Sequence, residues 1–353
     1  MGESSARLRV GIAGYGVVGK RRHNFIDRHP LLKVVAVCDR TFSLDPRELG
    51  DGVSCHQHYG DLLAEPLDVL FVCLTNDVAA EVTVAGLERG LHVFCEKPPG
   101  RDVQDIVQVL DAHARRPDLR LKYGFNHRYH HSVREAIRIV GEGELGRVID
   151  LKGTYGKSKL ISFESDWRTK REFAGGGILL DQGIHMVDMM RLFAGDFSEV
   201  HSFISGDFWG HDVEDNAYVL MRSGTGVVAM LHSSATQWRH RFILEITLEK
   251  GAITLSGILS GTKSYGAEEL TVVHSAPHDA GDPRESSFRY NEDPSWAAEI
   301  ADFAHAITAG IPVVEGSGTD ALKTMQLIYQ IYCADPVWRQ RFGLECVVPA
   351  RWS

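Results

Sequence analysis

The sequence lacks any long hydrophobic run and any long run of charges of one sign. No window reaches the roughly 18 to 20 apolar residues that cross a bilayer, so no membrane-spanning helix is expected. The formal net charge of -9 is spread over 353 residues, which argues against a nucleic-acid-binding surface. Residues 1–7 contain no apolar signal core, and we therefore expect a cytoplasmic protein with small-molecule partners.

Cysteine is scarce and scattered, at positions 38, 55, 73, 95, 333 and 346. No two cysteines form a close pair such as CxxC, so a structural zinc site is not expected. Three of them lie in apolar strand-like runs, and we expect all six to be reduced and structural. The histidines of 56–58 and of 130–131 are expected on loops or at the surface, and no metal site is predicted.

What is present begins with an apolar run at residues 9–13, followed by a glycine-rich turn and a helix-compatible stretch to Asp27. The turn reads Gly14, Tyr15, Gly16, Val17, Val18, Gly19. Strand, GxGxxG turn and helix together are typical of a dinucleotide-binding motif, whose pyrophosphate lies at the helix N-terminus. We therefore predict a nucleotide-binding turn at residues 14–19.

The next strand-like run, residues 33–38, ends at Asp39. This acid lies at the distance from the last motif glycine expected for a residue that binds the cofactor ribose, which favours NAD. Arg40 follows directly and could pair with a 2′-phosphate, so NADP is the less favoured cofactor.

A further strand, loop and helix follow at residues 69–74, 75–77 and 78–89, and then a strand at 91–95. This alternation predicts a parallel sheet. Because ligands of open α/β sheets bind beyond the carboxyl ends of the strands, Lys97 occupies a candidate site position. From its spacing alone, Lys97 is better explained as a solvated loop lysine, and only the motifs of the second half of the chain favour a site.

The pattern changes near residue 123, so we predict a Rossmann domain at 1–123 and an α+β domain at 124–353 with a large, mainly antiparallel open sheet. Its strands are expected at residues 147–155, 199–208, 217–221, 227–234, 242–248 and 270–273. One sheet face should be covered by helices, and the open face should pair subunits into a dimer or tetramer. Residues 275–294 are predicted as a loop, and 295–309 and 319–334 as packing helices. The C-terminal helix can pack back on the Rossmann domain.

Within the second domain, residues 175–177 are three glycines that precede an apolar pattern of helical period at 184–193. Asp181 and His185 are four residues apart, so on a helix their side chains would share one face. The alternative is a structural role, in which Asp181 interacts favourably with the helix dipole and His185 only packs. Because glycines usually indicate close approach of backbone or ligand, a site is the preferred interpretation. Trp167 and Arg168 could supply an aromatic wall and a cation beside it.

Several motifs occur together along the chain: the turn at 14–19, the Cys-Glu-Lys-Pro segment at 95–98, Asn-His-Arg at 126–128, Trp167-Arg168, and GGGxLxDxGxH at 175–185. In this order the sequence resembles the glucose–fructose oxidoreductase, inositol dehydrogenase and MocA family. The resemblance spans nearly the whole chain. Residues 96–101, 124–130 and 235–241 also resemble members that modify nucleotide sugars for surface glycans.

The resemblance implies roles for particular residues. It places Lys97, Asp181 and His185 at the three catalytic positions, and Arg128 and Trp167 beside the substrate with them. The implied cofactor contacts are the turn residues 14–19 with Asp39, Arg40, Leu74, Thr75, Asn76, Glu96, Lys97, Asn126, Trp167 and Arg168. One departure is the loop at 74–79, where many members carry a histidine that this sequence lacks, so its contacts are in doubt.

The implied reaction is hydride transfer between nicotinamide and a secondary alcohol or ketone of a sugar, nucleotide sugar or inositol. His185 suits the role of base because imidazole titrates near neutrality, whereas Lys97 would polarise the developing ketone oxygen. Two alternatives stay open: a sensor that binds NAD and sugar without turnover, and an NADPH-dependent carbonyl or imine reductase.

Overall fold

The computed structural model describes residues 7–42, 47–49, 52–159, 167–261, 265–275 and 281–345. Contacts divide the chain into two compact units. Unit 1 comprises residues 1–126 and 296–322, and unit 2 comprises residues 127–295 and 323–353. The chain first passes from unit 1 to unit 2 after residue 126, close to the domain boundary predicted at residue 123. Residues 296–322, which were predicted as part of the second domain, belong to unit 1.

Strands and helices alternate in the first part of the chain, whereas a series of strands dominates the second. The strands are β1 (Leu8–Ala13), β2 (Leu32–Cys38), β3 (Arg47–Leu49), β4 (Val53–His56), β5 (Val69–Val72), β6 (His92–Cys95), β7 (Leu121–Tyr123), β8 (Val148–Ser158), β9 (Phe197–Ser205), β10 (Asn216–Ser223), β11 (Val228–Gln237), β12 (Arg241–Leu248), β13 (Gly251–Ser256), β14 (Glu268–His274) and β15 (Arg284–Tyr290). The helices are α1 (Val17–Asp27), α2 (Tyr59–Leu62), α3 (Asn76–Glu88), α4 (Val103–Ala114), α5 (His131–Glu142), α6 (Arg171–Ala174), α7 (Ile184–Ala194), α8 (Ser295–Thr308), α9 (Gly318–Ala334) and α10 (Pro336–Phe342). Among the described residues, no helix is both long and apolar enough to span a membrane.

Unit 1 is built on one sheet with the strand order β3-β4-β2-β1-β5-β6-β7 among the described residues. Its strand pairs are parallel except for β3, which pairs antiparallel with β4. The strands lie in apolar runs buried on both faces, as in β5, where all four residues are buried. The sheet is therefore the predicted Rossmann sheet, and its strand order reverses between β1 and β5, where such sheets bind ligands.

Residues 296–322 are held to the Rossmann sheet by buried polar contacts. Arg22 of α1, fully buried, pairs with Glu96 after β6 at 2.6 Å and with Glu299 of α8 at 2.8 Å. The guanidinium also lies over the rings of Phe94 and Trp296, at 4.4 and 4.3 Å from their centroids. Because a buried guanidinium without partners would be costly, this cluster fixes α8 against the sheet.

Glu299 gives the stability of unit 1 a pH dependence. Burial raises its pKa from an ordinary value of 4.5 to about 7, although the positive charge of Arg22 opposes that rise. Between these two values the folded state binds more protons than the unfolded state, so the free energy of unfolding falls as pH rises. Glu299→Gln cannot titrate, and from about pH 5 to about pH 8 it should gain up to ~3 kcal/mol relative to the parent chain.

Urea unfolding of both chains across that pH range measures this gain. Glu88→Gln, at an exposed position on α3, is the control and should show a difference from the parent that does not vary with pH. If the free energy of unfolding of Glu299→Gln differed from that of the parent chain by the same amount at every pH, the raised pKa of Glu299 would be contradicted.

Unit 2 is built on an eight-stranded sheet with the order β15-β14-β13-β12-β8-β11-β10-β9 among the described residues. Its pairs are antiparallel except for β8 with β11, which confirms the predicted mainly antiparallel sheet. Helix α7 covers one face so closely that a Cβ at Gly153 of β8 would lie 2.4 Å from Met190. The other face exposes apolar side chains of paired strands, among them Phe203, Tyr218, Leu220 and Met230.

Several predictions for unit 2 were incomplete or wrong. Residues 275–294 were predicted as a loop, but 284–290 form β15, while 276–280 lie outside the described residues. β15 is an edge strand whose residues are nearly all exposed, so it lacks the alternation of apolar and polar residues that indicates a strand. β13 and α10 were also not predicted.

The predictions for cysteine and histidine need two corrections. Cys38, Cys55, Cys73 and Cys95 are free thiols, as expected, but Cys333 is disulfide-bonded. Scattered spacing carries no information on which cysteines meet in space. His130 was expected on a loop or at the surface but is buried, and its Nδ1 lies 2.8 Å from Glu268.

Candidate active site

The three glycines of the turn at 14–19 are needed for different structural reasons. Gly14 adopts φ +91°, and a Cβ there would lie 2.3 Å from the carbonyl oxygen of Cys73. A Cβ at Gly19 would lie 1.9 Å from the oxygen of Gly14, so α1 packs directly on the turn. At Gly16 a Cβ would meet no protein atom within 4 Å. Protein packing therefore requires two of the three glycines, whereas Gly16 faces open space at the N-terminus of α1.

This turn fits the dinucleotide that the sequence predicts. Gly16 caps α1 without a side-chain hydrogen bond, and the first helical residue, Val17, is largely exposed. Unsatisfied N–H groups at a helix N-terminus attract an anion. Because Gly16 has no Cβ, an anion can come close to these N–H groups. The residues present are thus suited to hold a pyrophosphate.

Asp39 lies where a ribose-binding acid is expected, directly after β2. Its Oδ2 accepts the backbone N–H of Tyr15 at 2.9 Å, and its Oδ1 accepts the hydroxyl of Thr41 at 2.7 Å. Burial alone would raise its pKa, but these hydrogen bonds lower it below the ordinary value. An ionised carboxylate is therefore held beside the glycine turn, with exposed Arg40 next to it.

The other predicted cofactor residues of unit 1 lie near strand ends. Leu74 and Thr75 follow β5, and α3 begins at Asn76, two residues before the predicted start. Asn126 begins a 3-10 turn, Asn126–Tyr129, after β7. These positions are all beyond the carboxyl ends of strands, in agreement with the general rule for such sheets.

Glu96 and Lys97 follow β6 directly but have different surroundings. The Glu96 carboxylate pairs with buried Arg22, so it contributes to packing within unit 1. Lys97 is half-buried and its peptide bond to Pro98 is cis. Glu96 thereby anchors the backbone from which Lys97 projects, and its direct contact with a cofactor stays a prediction.

Asp181 and His185 of unit 2 lie on consecutive helical turns of different types. Residues Leu179–Gly183 form a π-helical turn that contains Asp181, and α7 begins directly after it. His185 is 5% exposed, whereas Asp181 is half-buried. π-Helical turns are frequent at functional sites, which favours a site here over a packing role for both residues.

His127 lies against His185, and the sequence assigned it no role. The two imidazole rings are stacked, with centroids 3.7 Å apart and an angle of 9° between planes. His127 Nε2 lies 3.2 Å from the hydroxyl of Tyr155, whose pKa is raised by burial and by the charges of Tyr265 and Asp181. Two rings this close cannot readily both be protonated, because like charges disfavour each other. The only sequence signal for His127 is its place between two motif residues.

A buried pair, His130 and Glu268, lies on the other side of His127 from His185. The ring of His130 meets that of His127 edge to face at 5.5 Å, and His130 Nδ1 lies 2.8 Å from Glu268 of β14. Glu268 also accepts the backbone N–H of Ser132 at 2.9 Å. Burial by itself would raise the pKa of Glu268, but the hydrogen bond with His130 lowers it below its usual range. The row of histidines is therefore fixed at its far end by a carboxylate.

The glycines before Asp181 are explained by contacts with protein groups. A Cβ at Gly177 would lie 2.2 Å from the carbonyl oxygen of Glu214, and one at Gly176 would lie 2.2 Å from the hydroxyl of Tyr332. The buried Glu214 carboxylate accepts the N–H of Gly177 at 2.7 Å and the Tyr332 hydroxyl at 2.7 Å. The predicted close approach is thus made by backbone and side chains, and Glu214 fixes the segment that leads to Asp181.

Gly177→Ala should therefore destabilise unit 2. The added methyl group would meet the backbone at Glu214, which cannot move without breaking its hydrogen bonds, so we expect a loss of about 2 to 4 kcal/mol. Urea unfolding measures the loss. The matched control is Gly141→Ala on the exposed side of α5, where a Cβ meets no atom within 4 Å and stability should hold or rise. Equal stability of Gly177→Ala and the parent chain would contradict this account of the glycines.

Arg128 was predicted beside the substrate, but its position suggests another role. Its Nε and Nη2 each lie 2.7 Å from a carboxylate oxygen of Asp188 on α7, and both side chains are buried. Asp188 also accepts the hydroxyl of Thr324 at 3.2 Å. This bidentate pair orients the helix that carries His185. Contact of Arg128 with substrate stays a prediction.

Asp181 and Arg168 line a cavity within unit 2. Trp167 and Arg168 lie in a 3-10 turn, and the Arg168 guanidinium lies 4.5 Å from the centroid of the Trp167 ring. The cavity measures about 20 Å³. It is lined by Arg168, Gly177, Ile178, Asp181, Trp209, His211, Val213, Glu214, Asp215 and Ala235. This volume holds about one water molecule and is far below the range for small-molecule sites, roughly 300 to 1,000 Å³.

Unit 1 thus has a Rossmann sheet with a glycine turn suited to a dinucleotide, and unit 2 carries Asp181 at a small cavity with buried His185 four residues later. Comparison with known families agrees. Residues 8–125 match the oxidoreductase family with an NAD-binding Rossmann fold, and residues 133–254 match the GFO/IDH/MocA C-terminal domain. The chain belongs to the GFO/IDH/MocA family of oxidoreductases and binds a nicotinamide cofactor.

Individual relatives share much of the chain. D-glucoside 3-dehydrogenase of Escherichia coli K12 is 30% identical over 71% of this chain and 78% of its own length. Levoglucosan dehydrogenase of Pseudarthrobacter phenanthrenivorans is 26% identical over 56% of this chain, and the match spans only 54% of that relative. A structure of levoglucosan dehydrogenase in complex with NADH has a TM-score of 0.81 at 21% identity, covering 94% of this chain and 98% of that one. That last likeness concerns the fold.

Proposed function

We propose that this protein is an NAD-dependent dehydrogenase or reductase acting on a secondary alcohol or ketone of a sugar, nucleotide sugar or inositol. The observation that carries the proposal is the placement of Asp181 in a π-helical turn and of buried His185, stacked on His127, at the start of the helix that follows. Relatives named as dehydrogenases of a glucoside and of levoglucosan support the substrate class.

The cofactor would be held mainly by unit 1. The N–H groups at the start of α1, beside Gly16, would bind its pyrophosphate, and Asp39 would accept hydroxyls of its ribose. A nicotinamide cofactor supplies the hydride acceptor or donor of the reaction. Residues Leu74, Thr75, Asn76, Asn126, Trp167 and Arg168 are proposed to border it.

Proton handling is assigned to three side chains. His185 takes the hydroxyl proton of the substrate when an alcohol is oxidised, because neutral imidazole is a suitable base near neutral pH. Lys97 donates a hydrogen bond to the same oxygen and stabilises the negative charge that develops there. Asp181 orients this pair and balances its charge.

NAD is proposed over NADP because of Asp39. An ionised carboxylate fixed by the Tyr15 N–H and by Thr41 suits the two hydroxyls of an adenosine ribose and repels a 2′-phosphate. A relative named as an NADP-dependent D-xylose 1-dehydrogenase shows that the family also includes NADP-linked members. Comparison of kcat/KM with NAD and with NADP, in the parent chain and in Asp39→Ala, measures this preference.

The experiment that tests the proposal follows the absorbance of NADH. The purified protein is supplied with NAD and a panel of inositols, free hexoses, hexosides and nucleotide sugars, and in the reverse direction with NADH or NADPH and the corresponding ketones. Turnover of one substrate supports the dehydrogenase. Cofactor and sugar binding without turnover of any of them would instead support a sensor, and turnover of carbonyls or imines with NADPH alone would support the reductase.

Assembly and location are proposed with it. The apolar side chains on the open face of the unit 2 sheet, including Phe203, Tyr218, Leu220 and Met230, suit a homodimer or homotetramer. Leu220→Glu together with Met230→Glu should lower the mass measured by light scattering to that of one chain, and an unchanged mass would contradict pairing through this face.

We propose a cytoplasmic location, in agreement with four free thiols among the described residues, although the disulfide at Cys333 is unusual for a reducing compartment.

A further inference from the structure

His127 is the direct neighbour of the proposed base, so its charge affects what that base can do. Its imidazole ring is stacked on that of His185, with centroids 3.7 Å apart and an angle of 9° between the planes. A proton on one of two rings this close opposes a proton on the other, because like charges disfavour each other. His185 can therefore take a proton from the substrate readily only while His127 is neutral.

The hydroxyl of Tyr155 is the group that can keep His127 neutral. Its oxygen lies 3.2 Å from Nε2 of His127, within hydrogen-bond distance. Burial raises the pKa of Tyr155 well above its ordinary value, and the charges of Tyr265 and Asp181 raise it further. The hydroxyl therefore keeps its proton near neutral pH and can donate it to Nε2. A hydrogen bond donated to the neutral form of a base disfavours protonation of that base.

Tyr155 is held in this position by its own neighbours. The residue is 5% exposed, and its ring meets those of Phe242 and Tyr265 edge to face, with centroids 5.4 and 5.2 Å away. Tyr265 in turn donates its hydroxyl to the side-chain oxygen of Gln182 at 2.8 Å. Because the ring of Tyr155 cannot turn away without breaking these contacts, its hydroxyl stays at Nε2 of His127.

The charged groups around His127 make such a hydrogen bond necessary. His130 meets the ring of His127 edge to face at 5.5 Å, and its Nδ1 lies 2.8 Å from the carboxylate of Glu268. The Asp181 carboxylate is close enough to raise the pKa of Tyr155. Both carboxylates attract positive charge and would favour a proton on His127. The donated hydrogen bond opposes this attraction at the one ring where a proton would hinder the base.

We propose that Tyr155 and His127 are positioning residues for the base: the Tyr155 hydroxyl donates to Nε2 of His127 and holds that ring neutral, so that His185 is the ring that takes the substrate proton. This inference rests on the proposed function, in which His185 is the base. It gives a role to a histidine whose place in the sequence indicated none. The role requires no contact of either residue with the substrate.

Tyr155→Phe tests this role because it removes the donor and keeps the ring. His127 should then hold a proton at higher pH, so the acidic decrease of kcat/KM for oxidation should move up by at least about 0.5 pH unit, a 3-fold change in proton affinity. The shift should disappear when His127→Phe is added, since a phenyl ring keeps the stack but cannot be protonated. His127→Gln serves instead if that double variant does not fold. The matched control is Tyr218→Phe on the open face of the same sheet, which should leave the profile unchanged.

Nuclear magnetic resonance of protein labelled at histidine Cε1 gives a readout that does not need turnover, with the His127 signal assigned by its loss in His127→Gln. This signal should titrate at higher pH in Tyr155→Phe than in the parent chain. If the chain turns over substrate but the acidic decrease does not move in Tyr155→Phe, or if a shift persists in the double variant, the inference is overturned and the proposed function stays intact. If the His127 signal moves as expected without turnover of any substrate, the role of Tyr155 is supported and the proposed function is contradicted.

Discussion

Lys97→Met is expected to lower kcat at least about 100-fold while NAD binds with unchanged affinity. Methionine keeps the length of the side chain but removes the charge that would stabilise a developing alkoxide, an interaction made mainly in the transition state. The cofactor contacts assigned to the glycine turn and Asp39 do not involve the ammonium group. Steady-state rates on the best substrate of the panel, together with NAD titration by fluorescence, measure both quantities.

The control for this variant is Lys33→Met, since Lys33 lies exposed on β2 and belongs to the same unit. It should retain the activity of the parent chain. Activity of Lys97→Met above about 1% of the parent value would contradict the role of Lys97, because removal of an essential electrostatic group costs more than that. Loss of NAD affinity would instead indicate that Lys97 acts on the cofactor.

The Rossmann unit could be predicted from sequence because its signals are local. The turn at 14–19 stands directly between a strand and a helix, and Asp39 ends the next strand at the expected distance. Each feature depends on neighbours within a few dozen residues. The contacts that attach α8 could not be foreseen, since Arg22 and Glu299 are far apart in sequence and neither belongs to a recognisable pattern.

The second unit was predicted in outline but not in detail, for a related reason. Strands that are paired on both sides and have one buried face, such as β10, alternate between buried and exposed residues, so their pattern indicates a strand. The edge strand β15 is exposed on both faces and was predicted as a loop. Likewise, the partners of His130 and Arg128 come from β14 and α7, and a single sequence does not show that a histidine or arginine is buried with a carboxylate.

In the candidate site, too, residue spacing predicted some features, whereas contacts between distant residues could be seen only in the structure. Asp181 and His185 were predicted from their spacing, although the intervening turn is π-helical and not α-helical. The glycines before them correctly indicated close approach, but only the structure shows that Glu214 and Tyr332 are the groups that approach. His127 was overlooked because a ring stacked on His185 leaves no trace in residue spacing.

His185→Gln is expected to lower kcat/KM at least about 100-fold and to remove the loss of activity on the acidic side of the pH–rate profile. Glutamine fills similar space and can lie against His127, but it cannot accept a proton, and general base catalysis contributes roughly 100- to 10,000-fold. In the parent chain, protonation of the imidazole as pH falls abolishes the base, so activity in the oxidative direction should decrease on the acidic side of the profile. The pH profile of kcat/KM for both chains measures this difference.

The stack on His127 makes the pH profile more informative than the rate alone. A packing role for His185 would lower the rate in the variant, because the stacked ring of His127 would lose its support, but the acidic decrease of the profile would remain. His131→Gln is the matched control, since His131 lies exposed on α5 of the same unit, and both its rate and its profile should equal those of the parent chain. Retention of the acidic decrease in His185→Gln would transfer the role of base to another group and leave His185 as a packing residue.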